Sequence, residues 1–308
     1  MYSHGHVYVF SSTAPTDIFN GAATPYTPQL PPGVPPIFSL TDHGVAPNGQ
    51  HLVTFQDANG TARHVAFFDA GIFTQVHLLT YGQSVQADAA GVIYTSDQAG
   101  NLQRLQNGAF VDDGTRPVGL WVVDAAGTHR VYDTSTVQNV IFVMEQKRLA
   151  NGTWSTPVQA GRTAMPLMGY RVTAGMDGSV HLMMNLQFNY GVSTWYGVSS
   201  DGVAWAPLQE LFNAPEYDSQ NTVYGFAALN ATGGRTIIYS AGGANQYAGM
   251  RSLVRCSDAQ FGGWSRNMIP RPGGLGPNYF QTTYDELGNP AVIEGPWEGG
   301  QVRLGHVN

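Results

Sequence analysis

The chain has 308 residues with 21 acidic and 14 basic side chains, a formal net charge of -7; the bases form no run, which excludes a phosphate-binding face and, with it, nucleic acid as a partner. Its 38 glycines, 18 prolines and only 11% charged residues describe a chain dense in turns and short of the charged faces that surface helices need, so an all-β fold is expected. No stretch approaches the ~20 continuous apolar residues of a membrane-spanning helix.

Residues Met1–His6 carry neither a basic stretch nor an apolar run, so no signal peptide is expected. The first predicted element is a strand over His6–Ser11, whose residues alternate and which has no preceding partner. Between Thr13 and Pro36 stand Pro15, Pro25, Pro28, Pro31, Pro32, Pro35 and Pro36, which predict a stiff, extended insertion able to lie over the domain or reach a neighbouring chain.

A repeat then begins: an apolar run, a polar turn ending in glycine, and a second apolar run. Its six turns are Val45–Gly49, Asp88–Gly91, Asp124–Gly127, Met176–Gly178, Ala231–Gly234 and Asp285–Gly288, leading into His51–Phe55, Val92–Tyr94, His129–Tyr132, Val180–Leu182, Thr236–Tyr239 and Pro290–Ile293. Glycines 49, 91, 127, 178, 234 and 288 are 42, 36, 51, 56 and 54 residues apart, the period of a propeller blade. Asp or Asn followed by Gly suits turns that need φ > 0. Further apolar runs follow each pair, as in Thr194–Val198, the turn Ser199–Gly202, and Ala204–Leu208, so each unit has four strands.

The expectation is one domain over 1–308: a six-bladed β-propeller of four-stranded antiparallel blades at about 36–80, 83–113, 117–160, 171–211, 223–269 and 278–306. The sixth repeat supplies three strands, and pairing residues 6–11 beside the carboxy-terminal strand would close the ring and cover an edge. Closure of that kind brings His4, His6 and His306 together, a weak metal candidate with no carboxylate in view. No cofactor is expected. Cys256, the lone cysteine, reads as a core thiol.

Ser199-Ser200-Asp201-Gly202-Val203-Ala204-Trp205 resembles the Asp-box hairpin of bacterial neuraminidase repeats, with looser echoes at Ser257-Asp258 with Gly262-Gly263-Trp264 and at Asn151–Trp154. The wider blade pattern is similar to sialidase-like propellers and propeller lectins. The resemblance implies blade geometry and a lean toward glycans. It does not imply sialidase activity, because the one string near the family's Arg-Ile-Pro element, Met268-Ile269-Pro270-Arg271, has a different order and place.

Sorting connections by blade end gives tight Asp-Gly and Asn-Gly turns on one face. Long loops are expected on the other: Gln187–Tyr190, Gly243–Tyr247, Gly295–Glu298, and the stretches from Phe212 to Tyr224, Arg162 to Tyr170 and Arg271 to Tyr279. These are rich in aromatic and amide side chains, which suit hydroxyl-rich ligands. Candidate ligand-binding residues are Asn189, Tyr190, Tyr217, Asn245, Gln246, Tyr247, Tyr279 and Trp297. The favoured reading is a non-catalytic recognition module whose partner is a glycan or cell-surface receptor, extracellular or virion-associated in setting. One alternative is a structural or receptor-recognition subunit of a virion or tail, assembling through the proline-rich arm with a protein partner or copies of itself. A second is a glycoside hydrolase using Glu298, Asp218, Glu294 and Glu216 as paired carboxylates.

Overall fold

A computed structural model describes most of residues 30–210 in full; before and after that range it describes strands by their backbone pairing. Within 30–210, short stretches including 47–49, 59–61, 80–83, 176–177 and 189–190 lie outside the described residues.

Every sheet is antiparallel and pairs strands in chain order. An N-terminal sheet contains β1 (Tyr2–Ser3), β2 (His6–Val9) and β3 (Thr24–Tyr26). Sheet I follows with β4 (Ile37–Val45), β5 (His51–Asp57), β6 (Arg63–Asp69) and β7 (Ile72–Leu79). Sheet II comprises β8 (Ser84–Ala87), β9 (Ile93–Ser96), β10 (Asn101–Gln106) and β11 (Ala109–Thr115). Sheet III comprises β12 (Leu120–Val123), β13 (His129–Val137), β14 (Val140–Lys147) and β15 (Val158–Thr163). Sheet IV comprises β16 (Leu167–Ala174), β17 (Val180–Phe188), β18 (Gly191–Ser199) and β19 (Gln209–Ala214). Sheet V contains β20 (Arg235–Gly242), β21 (Arg251–Ala259) and β22 (Gly263–Ile269), and sheet VI contains β23 (Tyr279–Tyr284), β24 (Pro290–Gly295) and β25 (Arg303–His306).

The protein is thus an all-β propeller of four-stranded antiparallel blades. Its repeated punctuation is a five-residue turn seen at Asp88–Val92, Asp97–Asn101, Asp124–Thr128, Leu149–Thr153 and Gly175–Ser179. In each, the first N–H donates to the fifth carbonyl and the fourth N–H to the first carbonyl. The fourth residue is always glycine, Gly91, Gly100, Gly127, Gly152 or Gly178, with φ between 77° and 86°, the left-handed region other side chains resist. Where the first residue is Asp, its carboxylate closes the turn: Asp88 Oδ1 accepts from the N–H groups of Ala90 and Val92, both at 2.9 Å.

The core lies between the sheets. Leu52, Val65 and Phe67 of sheet I pack with Ala87 and Ile93 of sheet II. Leu102 of sheet II meets Trp121, Val123 and Val131 of sheet III, and Tyr132, Val143 and Ala160 of sheet III meet Leu182, Met184 and Leu186 of sheet IV. Each such fully buried large apolar side chain contributes about 1.5–3 kcal/mol. Gly161 lets the last two sheets approach: a Cβ there would stand 2.9 Å from Leu182 Cδ2 and 3.0 Å from Met184 Sδ.

Several expectations need correction. Four sheets, not six, carry four strands among the described residues. The amino-terminal strand does not complete the last sheet, because a strand has two edges and β2 uses both, pairing with β1 and β3; β25 pairs with β24. Sheet VI instead meets sheet I directly, β23 lying against β4. Part of the proline-rich stretch is itself a strand: Pro25 sits opposite Tyr8 in β3, an edge position that tolerates proline. In sheet IV, 204–208 is not the fourth strand; that role falls to β19.

Loop lengths also differ. Only residues 189 and 190 separate β17 from β18, since Phe188 pairs with Gly191, and only 164–166 separate β15 from β16. The longer described connections are 148–157 and 200–208, each joining a third strand to a fourth.

The fourth strands of sheets I to IV each carry a bulge. An extra residue is accommodated at Gln75–Val76 of β7, Asp113–Gly114 of β11, Ala160 of β15 and Leu211 of β19, each against a shorter step on the inner neighbour. Such kinks blunt an exposed sheet edge.

Candidate functional site

The register gives each blade two ends. At the turn end, first strands join second strands and third join fourth; at the linker end, second join third and one sheet passes to the next.

At the turn end a network of side chains joins sheets III and IV. Arg130, on β13 just after the Asp124 turn, donates from Nε and Nη2 to Asp124 Oδ2 at 2.7 and 2.5 Å, and from Nη1 to Glu145 Oε1 and to the Gly202 carbonyl, both at 2.8 Å. Glu145 also accepts from the Tyr132 hydroxyl at 2.6 Å and, through Oε2, from Trp205 Nε1 at 3.1 Å. Lys147 Nζ donates to the Gly202 carbonyl as well. Gly202 belongs to the Asp-box-like hairpin of sheet IV, so this buried network ties sheet III to sheet IV. Burial and the adjacent Glu145 carboxylate push the Tyr132 hydroxyl well above its ordinary range.

Asp201 serves the same hairpin: its Oδ1 accepts from the N–H groups of Val203 at 2.8 Å and Ala204 at 3.0 Å, and these bonds hold its carboxyl below the ordinary value. In sheet II the Tyr94 hydroxyl donates to Asp88 Oδ2 at 3.0 Å, and burial, with the Asp88 charge, pushes the phenol up to about 12. Each of these carboxylates accepts hydrogen bonds from within the fold, which makes them folding elements.

The linker end is more open. β13 runs five residues beyond its last pairing with β12, at Tyr132–Leu120, and all five, Asp133–Val137, are exposed. The hairpin turns at Gln138 (φ 50°) and Asn139 (φ 65°), a two-residue loop with both central residues left-handed. Its tip offers Asp133, Thr134, Ser135, Thr136, Gln138 and Asn139 to solvent. Tyr170 on β16 braces the base of this hairpin, its hydroxyl donating to the Tyr132 carbonyl at 2.9 Å; burial, and then the Asp133 charge, raise that hydroxyl's pKa. On sheet IV the Trp195 indole donates to Ser193 Oγ at 2.8 Å, and Ser193 donates to the exposed Glu210 carboxylate at 2.6 Å. Chemically this end presents hydroxyls, amides and carboxylates with capacity to spare.

Of the residues proposed from sequence, Asn189, Tyr190, Glu216, Tyr217, Asp218, Asn245, Gln246, Tyr247, Trp297, Glu298 and His4 lie outside the described residues. Backbone pairing locates four others. Tyr279 stands opposite Gly295 and Glu294 opposite Phe280, so both are at the linker end of sheet VI. His6 pairs with Ser3 and His306 with Ala291, in different sheets. Sequence reasoning missed Asp133–Asn139, Tyr170, Trp195 and Glu210. The only local signal for the hairpin was Asn139, because its turn uses Gln-Asn where Asn-Gly is the usual mark.

No protein family matches the chain, and no curated protein sequence matches it. Solved structures do. The chain is similar to an ulvan lyase of polysaccharide lyase family PL25 bound to -[GlcA(1-4)Rha3S]-, at 11% identity and TM-score 0.54, covering 85% of this chain and 80% of that one. It is also similar to a mutant of AofleA from Arthrobotrys oligospora, at 14% identity and TM-score 0.50, covering 86% and 85%. At such identities the likeness is one of fold. Among the described residues no helix is long and apolar enough to cross a membrane.

Proposed function

We propose that the protein is a glycan-recognition propeller that binds without cleaving, through its linker end. The observation that carries this reading is the exposed row of hydroxyl, amide and carboxylate groups that the linker end projects from Asp133 to Asn139. Sugar hydroxyls are met by such donors and acceptors, and aromatic residues supply a stacking face. The fold's likeness to a polysaccharide lyase bound to a saccharide supports the class of ligand. Tyr190, Asn245, Gln246, Tyr247, Tyr279 and Trp297, with Asn189 and Tyr217, are proposed to complete the site.

A glycan array tests the reading. Binding to at least one sugar class is expected, weakened tenfold or more by Trp297→Ala or Tyr247→Ala; silence on every sugar together with tight capture of a protein receptor would overturn it.

A second reading, a carbohydrate-cleaving enzyme, is favoured by the placement of Tyr279 and Glu294 at one end of sheet VI and by the fold likeness to a lyase. It assigns acid and base roles among Glu294, Glu298, Asp218 and Glu216. Turnover of a polysaccharide, abolished by Glu294→Gln or Glu298→Gln, would select it.

A further inference from the structure

The junctions between sheets differ in the chemistry that holds them. Sheets III and IV are joined by Arg130 and Lys147 on carboxylates and the Gly202 carbonyl, with no imidazole taking part. A buried histidine occupies the junction on the other side of sheet III. His129 of β13 lies in the seam between sheets II and III, 4% exposed, its ring edge-to-face with Tyr94 of sheet II at 4.5 Å and 5.7 Å from Trp121. Its Nδ1 is buried with no hydrogen-bond partner among the described residues. His77 of β7 is half-buried and lies beside the Gly108 backbone in the β10–β11 turn. His64 of β6 lies on the other face of sheet I from Val65 and Phe67, stacked within that sheet on Phe55 at 5.1 Å, and its Nε2 lacks a partner among the described residues.

Protonating His129 places a cation in an apolar seam. Around His129 the charged groups are Arg148 from the 148–157 connection, which opposes a second positive charge, and Asp113, Asp88 and Asp124, which favour one. Asp57 faces His64 and favours its charge. Burial outweighs the carboxylates: it lowers all three histidines, His129 to about 4. His181, buried in sheet IV, is built differently, with Ser179 Oγ on one ring nitrogen at 2.7 Å and the Tyr196 hydroxyl on the other at 2.5 Å.

We infer that the propeller contains an acid-responsive seam at His129: acid loosens sheet II from sheet III while the sheet III to sheet IV junction stays closed. The ring then opens at one place rather than melting as a whole.

Trp121 beside His129 and Trp205 beside Glu145 report the two junctions in the intact chain. On titration from about pH 7 to about pH 4, tryptophan fluorescence is expected to change in the wild type and in Trp205→Phe, and to lose most of that change in Trp121→Phe. His129→Gln is expected to remove at least half of the acid-induced fall in Tm. A change that survives Trp121→Phe and vanishes in Trp205→Phe would overturn the inference, as would equal acid sensitivity of His129→Gln and wild type. If His129→Gln does not fold, the ring resonances of His129 in the wild type decide: a midpoint well below 6.5 supports the seam, and one at or above it refutes it.

Discussion

Glu145 accepts hydrogen bonds from Arg130, Tyr132 and Trp205 and is completely buried. Removing its charge leaves Arg130 with only Asp124 to balance it inside the seam between sheets III and IV. Glu145→Gln is therefore expected to destabilise the protein by about 3 kcal/mol, read from urea unfolding. His129 sets a pH dependence of definite sign. Its folded-state pKa, about 4, lies below the unfolded value of 6.5, so between those values the unfolded chain binds more protons and stability falls as pH falls. The loss begins near 6.5, is complete below about 4, and amounts to about 3 kcal/mol in equilibrium unfolding at several pH values. At this scale the sequence was partly readable. Asp88 and Asp124 announced themselves as turn residues through the glycine three places on, but the partner of Asp124, Arg130, did not, because a cation two positions into a strand looks like a solvated side chain until the next sheet covers it.

At the scale of elements, the strands following each Asp-Gly or Asn-Gly turn were legible, since alternating apolar runs and left-handed glycines are local signals. The hairpin from Asp133 to Met144 was not. It has no glycine, and its residues past Tyr132 alternate no apolar face because the neighbouring strand has ended. Gln138 and Asn139 hold positive φ at some cost in backbone energy. Replacing them together, Gln138→Asn with Asn139→Gly, is expected to raise stability by about 0.5–1 kcal/mol, seen as an upward shift in thermal midpoint. The reading of 204–208 as a strand failed for a different reason: Ala204-Trp205-Ala206 alternates like a strand, yet Trp205 is drawn inward by Glu145 and Tyr132, edge-to-face with the latter at 6.1 Å, and apart from the Ala206 N–H donating to the Val198 carbonyl at 2.8 Å the ladder of β19 begins at Gln209.

For the molecule as a whole, the glycine period identified a propeller, but the blade count and the manner of closure depended on long-range pairing that periodicity does not encode. A strand looking for a partner at one end of the chain and a gap at the other suggested a join that β2, occupied on both edges, does not make. Of the proposed linker-end site, the aromatic and amide candidates came from the sequence and all but Tyr279 lie outside the described residues, whereas the exposed Asp133–Asn139 row required the sheet register to be seen.

The kinked outermost strands have a further consequence. With β7, β11, β15 and β19 each broken in register, these four edges offer no straight row of backbone groups onto which a like strand from another copy could zip, so crowding many copies on one surface would leave them separate along sheets I to IV. Deleting Gln75 straightens one of those strands; the shortened chain is expected to scatter more light with increasing concentration than the parent, and equal scattering would show that the perimeter is guarded by other means.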